Sequence, residues 1–314
     1  MHVVDLADPP RGTPLGVVVA HGDTGASSAE FWLQAATFTL VESPCADRRA
    51  VTVETVTQTL DLLADRVARW PHAATVCDDV LRMVKPDGPA LPGILTESLA
   101  YSTLQAGPEF ARWLTERGPA TVPVLPDPVV VDRGRDDLYV RFNRPSRHNA
   151  FSTDARAALL EAVEIAWLDP SVLGFVLSGN GPSFCSGGDL AEFGSFDDPV
   201  SAHLSRTRHS PGLALDALTM RFHEGCRAEV HGQVLGSGLE MAAFCGHVSS
   251  TPDAVFGLPE LALGLIPGAG GTVSITRRIG RWRTAYLVLS GATITPATAL
   301  EWGLIDAVSG CGAT

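Results

Sequence analysis

Residue types able to do chemistry concentrate in one stretch, Val230 to Cys245, VHGQVLGSGLEMAAFC. It reads as a strand ending at His231, a turn built on Gly232, Gly236 and Gly238, and a short helix that Gly246 closes as its C′ residue. Glycine at three of the seven positions from Gly232 to Gly238 lets the backbone approach a ligand and turn its N–H groups outward, and the helix N-terminus behind adds partial positive charge. Glu240 falls in the first helical turn, where the dipole favours a carboxylate. A base beside an oxyanion-stabilising loop is one half of an enolate-forming site. The same residues also fit a plain tight turn with first-turn charge complementarity, and a single Gly-rich loop does not distinguish the two.

The surrounding elements must position that loop. Arg227 to His231 is the strand that delivers it, and Leu173 to Leu177 is an apolar strand emptying into Gly179-Asn180-Gly181-Pro182. Phe184-Cys185-Ser186-Gly187-Gly188-Asp189 then forms a second Gly-rich turn, expected to open a helix. Asp137 to Phe142 is a strand, Ser152 caps a helix that halts before Pro170, and Val200 to Phe222 is helical with an irregular middle at Pro211-Gly212. Val248 to Ser250 and Ala254 to Phe256 are short strands leading to Gly257-Leu258-Pro259-Glu260. LALGLIPGAGGT, with glycine at four of twelve positions, is a third packed turn, after which Thr272 caps a helix closing at Gly280. A further helix ends at Gly291, and Thr295-Pro296 opens another that Gly303 ends.

Before Pro119 to Pro128, a Pro-rich seam, the pattern differs. Leu15 to Ala20 is a candidate strand, and Val56 to Trp70, Cys77 to Val84 and Glu97 to Glu116 carry apolar residues at helical spacing. Residues 1–126 are therefore expected to be a mostly helical N-terminal extension after one or two strands, and residues 127–314 a separate α/β unit. His21-Gly22 invites comparison with an α/β-hydrolase, but no G-x-S-x-G elbow follows.

Composition narrows the chemistry. A chain of 314 residues with 45% hydrophobic and 18% charged residues can bury a sizeable core. The formal net charge of −12, with no run of Lys and Arg, argues against nucleic acid and anionic membranes as partners. Lys85 is the one lysine, which leaves no Walker-type motif and no choice of Schiff-base lysines. Cys45, Cys77, Cys185, Cys226, Cys245 and Cys311 lack metal-binding or disulfide spacing, so reduced thiols in a cytoplasmic protein without a metal are expected. The start, MHVVDLADPPRG, has neither a basic n-region nor an apolar run long enough for a signal peptide.

Four stretches taken in order, Asn143-Arg144-Pro145 to Asn149-Ala150, Phe184 to Asp189, His231-Gly232 to Glu240, and Phe256 to Glu260 running into Ile266 to Thr272, resemble the crotonase (enoyl-CoA hydratase/isomerase) family over roughly Val129 to Val308. The resemblance implies an α/β fold, a spiral of ββα units preceded here by the helical extension. It implies an acyl-CoA thioester whose carbonyl lies between two backbone N–H groups, by position those of Gly188 and Ser237. Loss of one such donor costs about 3–4 kcal/mol of barrier. Ser237 stands where the family usually has glycine, which is tolerable because the backbone does the chemistry. Glu240 and Glu260 match the two glutamates with which the family's hydratases hold water over the double bond, one accepting the water proton and the other protonating the α carbon. Such close carboxylates should titrate as a coupled pair with one apparent pKa raised. CoA would lie along Arg147, His148 and Ala150 and along Ser186, Gly188, Asp189, Leu190 and Ala191, with Arg147 on phosphate and no cofactor beyond the thioester itself. His231 is expected to be a strand-end histidine with a satisfied hydrogen bond.

The resemblance further implies a homo-trimer or hexamer and a helical tail beyond Gly303 to Asp306, whereas this chain ends at Thr314. The N-terminal helices are expected to supply part of the missing cover over the acyl pocket. Hydration of a 2-enoyl-CoA to a 3-hydroxyacyl-CoA is the expected reaction. Enoyl-CoA isomerisation, cofactor-free dioxygenation of an arylacetyl-CoA, and a non-catalytic CoA-binding paralogue or assembly subunit are the alternatives.

Overall fold

The computed structural model describes residues 1–10, 12, 14–195 and 198–309. In chain order the first part comprises β1 (His2–Asp5), β2 (Val18–His21), α1 (Ala29–Ala35), β3 (Phe38–Val41), β4 (Ala50–Thr52), α2 (Val56–Arg69), α3 (Pro71–Met83), α4 (Ala90–Gln105) and α5 (Pro108–Arg117). The second comprises β5 (Val129–Arg133), β6 (Asp137–Phe142), α6 (Thr153–Leu168), β7 (Gly174–Gly179), α7 (Pro199–Arg208), α8 (Pro211–Phe222), β8 (Cys226–Val230), β9 (Gln233–Leu235) and α9 (Ser237–Ala242). It ends with β10 (His247–Ser250), β11 (Val255–Gly257), α10 (Gly271–Ser290), β12 (Thr293–Ile294), α11 (Pro296–Trp302) and β13 (Ala307–Val308).

The second part is a spiral of ββα units. Units β8-β9-α9 and β10-β11-α10 each give their first strand to a six-stranded sheet, ordered β13-β10-β8-β7-β6-β5, and their second to a three-stranded sheet, ordered β12-β11-β9. Both β8 with β10 and β9 with β11 pair in parallel, so successive units stack in register. Ser152 caps α6 by accepting from the Ala155 N–H, and Thr295 caps α11 by accepting from the Thr298 N–H, as cap residues do.

The first part holds a parallel four-stranded sheet, β1-β2-β3-β4, where one or two strands are expected from the sequence. The short apolar runs of β3 and β4 carry no periodicity that separates them from helix. Alternate residues divide between the two faces of this sheet. Val17, Val19, Phe38 and Leu40 join the main core, while Val18, Ala20 and Val41 join a second cluster around Trp32 and Leu33. The span expected as one helix, Glu97 to Glu116, is two, because Gly107-Pro108 interrupts it and Pro108 starts α5 at a position where its missing N–H is harmless. Pro119 to Pro128 is extended chain, but the main core runs from Val17 to Ile305 across it. Helix α10 packs on α2, α3 and α4 from one side and on α9 from the other. It bends at Gly280, where φ is +80°.

Two local expectations are corrected. Gly246 is not a left-handed C′ residue; it donates its N–H to the Cys226 carbonyl (2.8 Å), and a Cβ there would sit 2.1 Å from the His223 carbonyl oxygen. No helix follows Phe184 to Asp189 directly, since the next one begins at Pro199 behind an Asp198 cap. Among the described residues no helix is long and apolar enough to cross a membrane. Cys77, Cys185, Cys226 and Cys245 are buried free thiols and Cys45 is a half-buried one, while Cys311 lies outside the described residues.

The N-terminus of α3 shows how buried carboxylates serve this fold. Its cap position is Trp70, whose side chain cannot accept, and the amides of His72 (2.8 Å) and Ala73 (3.0 Å) donate instead to the buried carboxylate of Glu109 on α5. Glu109→Ala leaves those donors buried and unpaired, and is expected to lower unfolding free energy by about 2–3 kcal/mol in urea titration.

Candidate active site

The two Gly-rich turns meet because their backbones pair. The amide of Cys185 donates to the Gln233 carbonyl (3.0 Å) and that of Leu235 to the Cys185 carbonyl (3.0 Å), which docks Phe184 to Gly188 alongside β9. Gly236 adopts φ +49°, and a Cβ there would lie 2.7 Å from Glu260 Oε1. Gly238 lies against Cys185, with 2.7 Å from an added Cβ to the Cys185 carbonyl oxygen. Glycine is required at these two positions by backbone conformation and by close approach respectively.

This docking aims two amides into one cavity. Ser237 is the first residue of α9, so its N–H has no helical acceptor, and among the described residues neither it nor the Gly188 N–H donates to any protein group. Both residues line a cavity of about 190 Å³ together with Glu240 and Glu260. The Ser237 hydroxyl is buried without a partner.

The two glutamates differ in how they are held. Glu240, 2% exposed, takes two hydrogen bonds on Oε2, from the Ala269 and Gly271 amides at the N-terminus of α10 (2.7 Å each). Burial pushes its pKa up to about 7 against the pull of those amides and of the Gly268 amide, and no hydrogen bond within normal distance reaches its Oε1 among the described residues. Glu260, 8% exposed, has a fully buried Oε2 without a partner. Burial first and the charge of Glu240 second push it well above the ordinary carboxylate range. Where one raised carboxyl is expected from the sequence, both are raised, Glu240 by burial and Glu260 by burial and by the charge of Glu240.

Of the residues expected to contact CoA, Gly188 and Asp189 line the cavity and the others lie close to them in the chain or through hydrogen bonds. His148, in left-handed conformation at φ +48°, is exposed with its ring on Ser183 Oγ (2.9 Å), and its carbonyl accepts the Ser186 amide (3.0 Å). Ala150 is buried and its carbonyl accepts from the Arg144 guanidinium. Asp189 is buried between Arg144 (2.8 Å) and Arg147 (2.9 Å). Burial would raise it, but the hydrogen bonds from Arg144, the Ala191 amide and Arg147 outweigh that and hold it low. Its carboxylate thus braces the turn, while Arg147 stays 42% exposed at the surface beside Leu190, also exposed, and Ala191, half-buried. His231 bonds through Nε2 to the Gly181 carbonyl (2.9 Å).

Cover from the N-terminal helices is expected from the sequence, but the residues of α4 that line the cavity are not singled out there. Glu97, Ser98 and Tyr101 line the same cavity, as does Arg206 of α7, whose guanidinium lies 4.5 Å over the Tyr101 ring and bonds Ser98 Oγ (3.2 Å), Gln105 Oε1 (2.8 Å) and Ser102 Oγ. Glu97 is 1% exposed. Its signal was present: it is the one charged residue in the sixteen-residue ALPGILTESLAYSTLQ. Thr272, expected as a helix cap, instead donates its hydroxyl to Glu97 (2.7 Å), and Gly270 holds the cap position at φ +103°.

Raised carboxylates make stability depend on pH with a definite sign. Unfolded, these groups ionise near 4.5; folded, Glu240 does so near 7 and Glu97 near 8, with Glu260 also raised. Between those values the native state keeps protons the unfolded chain has lost, so this contribution is complete below 4.5 and disappears as pH rises through 7 to 8. Glu260→Gln, which cannot ionise, is expected to raise Tm at pH 8 by roughly 2–6 °C and to leave it nearly unchanged at pH 5, read by calorimetry.

A sequence model of the family described as enoyl-CoA hydratase/isomerase matches residues 137–311, more than half of the chain. Among curated relatives, the 2,3-dehydroadipyl-CoA hydratase of Escherichia coli K12 is 36% identical over 180 residues, which is 57% of this chain and 68% of that one. The mevalonyl-coenzyme A hydratase sidH of Aspergillus fumigatus is 32% identical over 54% of this chain and 62% of its own. The chain thus spans about two thirds of the length of these relatives. The crystal structure of an enoyl-CoA hydratase from Thermoplasma volcanium GSS1 superposes with a TM-score of 0.51 at 30% identity, covering 58% of this chain and 71% of that one. Family match, sequence relatives and solved structure agree with the paired turns and the two glutamates, and the chain belongs to the enoyl-CoA hydratase/isomerase family.

Proposed function

We propose that this protein hydrates a 2-enoyl-CoA to a 3-hydroxyacyl-CoA. The observation that carries the proposal is the convergence, in one cavity, of two unpaired backbone amides and two buried glutamates held in different ways. The thioester carbonyl sits between the Gly188 and Ser237 N–H groups, which stabilise the negative charge that develops on its oxygen. Glu240, kept as a carboxylate by two α10 amides, takes a proton from water through its free Oε1 as the water oxygen bonds to the β carbon. The π electrons move into the enolate, and protonated Glu260 delivers its proton to the α carbon as the carbonyl reforms. Water has then added across the double bond, and a proton passed from Glu240 to Glu260 restores the starting state.

The CoA moiety runs along Arg147, His148, Ala150, Ser186, Leu190 and Ala191, with the exposed part of the Arg147 guanidinium available to phosphate. The chemistry needs no metal or cofactor beyond the thioester. Names of relatives support a hydratase, and two of them specify different acyl groups, dehydroadipyl and mevalonyl, so the acyl group is set by the cavity wall rather than by the reacting centre. A cytoplasmic homo-trimer or hexamer belongs to the same proposal. It is supported by exposed Trp167 and Leu168 at the end of α6, apolar surface of the kind that subunits cover.

Loss of the 2-enoyl thioester absorbance with crotonyl-CoA and a longer 2-enoyl-CoA tests the reaction. Glu240→Gln and Glu260→Gln are each expected to lower kcat by at least about 10²-fold while CoA thioesters still bind. A folded protein that binds crotonyl-CoA and turns over neither substrate refutes the hydration, and oxygen consumption with an arylacetyl-CoA would replace it by the dioxygenase chemistry.

A further inference from the structure

We propose that Glu97, from the N-terminal region outside the family match, is a positioning residue of the active site that fixes the Gly268–Thr272 turn and through it the carboxylate of Glu240. The inference rests on Glu240 being the base. Four successive amides leave this turn on alternate sides. Ala269 and Gly271 donate to Glu240 (2.7 Å each), while Gly270 (2.7 Å) and Thr272 (2.9 Å) donate to Glu97, which also takes the Thr272 hydroxyl (2.7 Å). A helix N-terminus is ordinarily satisfied by its own cap residue, but here the cap position is Gly270, which has no side chain to offer. Two carboxylates from distant elements do the work instead.

Both oxygens of Glu97 are occupied by protein donors, Oε1 by Gly270 and Oε2 by Thr272, so it acts through the turn and not on the substrate. No arginine, lysine or histidine pairs with it among the described residues, so the amides and the hydroxyl are what hold it in a dry interior. The contact is close-fitting: a Cβ on Gly268 would lie 2.5 Å from the Tyr101 ring, and one on Gly93 2.5 Å from Val273 Cγ2. Displacement of α4 or loss of its carboxylate therefore moves the amides that Glu240 leans on. The ionisable groups around Glu97 are Glu240 from α9, Glu260 from the turn after β11, Cys77 from α3, Tyr101 from its own helix and Arg206 from α7.

Glu97→Gln in the full chain is the test, because its amide NH2 meets a backbone N–H on one arm and cannot accept. The expected result is a fall in kcat of about 10–100-fold with KM changed less than about threefold, together with an acidic limb of the kcat profile shifted to higher pH. The direction of that shift follows from weakening the Ala269 and Gly271 hydrogen bonds that hold Glu240 down, since Glu97 is raised above Glu240 and still carries its proton where Glu240 titrates. Glu97→Asp should recover part of kcat, and Leu99→Ala, on the exposed face of α4, should match the parent. Infrared titration of the buried carboxyl bands provides a readout without turnover: in Glu97→Gln the Glu240 band should titrate at higher pH than in the parent. If the parent proves inert toward enoyl-CoA but the band still moves, the hydration falls and the positioning role stands. A folded Glu97→Gln with parental kcat and pH profile overturns the proposal, as does one in which Tm drops while the titration of the Glu240 band does not move.

Discussion

The N-terminal turn of α10 is the constraint on which the site depends. Among the described residues its amides are the hydrogen-bond donors to the buried Glu240 carboxylate, which the proposed reaction requires to be dry enough to act as a base and charged enough to accept a proton. Burial alone would drive Glu240 to its neutral form; hydrogen bonds from Ala269 and Gly271 oppose that and leave it near neutrality, where a general base is most effective. Glu260 has no such compensation, and an unpartnered buried oxygen is the physical mark of a group that keeps its proton. The proposed division of labour between acid and base thus follows from which glutamate a helix end serves.

The oxyanion site has a different origin, in backbone alone. Pairing Cys185 against Val234 brings Gly188 and Ser237 to the same cavity, and the ion pairs of Asp189 with Arg144 and Arg147 brace the first of those turns. Because the proposed donors are amides, a serine side chain at 237 is compatible with that role. Gly236 and Gly238 have no such latitude, one for its left-handed φ and the other for its contact with Cys185.

Legibility in the sequence followed this distinction. Glycines that permit close backbone contact cluster along the chain, so the turns at Gly232 to Gly238 and Phe184 to Asp189, and the glutamates beside them, could be found before any coordinates. Helix limits in that region were readable through caps at Ser152 and Thr295 and stops at Gly291 and Gly303, whereas the ββα spiral itself was implied by the family resemblance of four short stretches. Short elements were not: β3, β4 and β9 span only three or four residues, too few to show a period. Glu97 escaped for another reason. Its partners are 173 and 175 residues away, and nothing local to α4 says which turn it meets. A single charge in an otherwise uncharged helix shows that a buried partner exists without showing where.

The same separation explains why one fold can serve several acyl groups. The reacting centre is built by neighbours in sequence, β9 with α9 and β11 with the turn that follows, and these are bound together by backbone bonds that tolerate little change. The far wall of the cavity comes from α4 and α7, joined by Arg206 to Ser98, Ser102 and Gln105 and by its stacking on Tyr101. Those contacts are side chain to side chain and lie partly outside the stretch shared with the family. Substitution there would alter the cavity wall while leaving the backbone pairing that carries Gly188 and Ser237 in place. The N-terminal region is therefore continuous with the active cavity in the physical sense that matters: α4 contributes its wall, and α5 holds the loop at its mouth through Arg117, which bonds the carbonyls of Leu190 and Phe193.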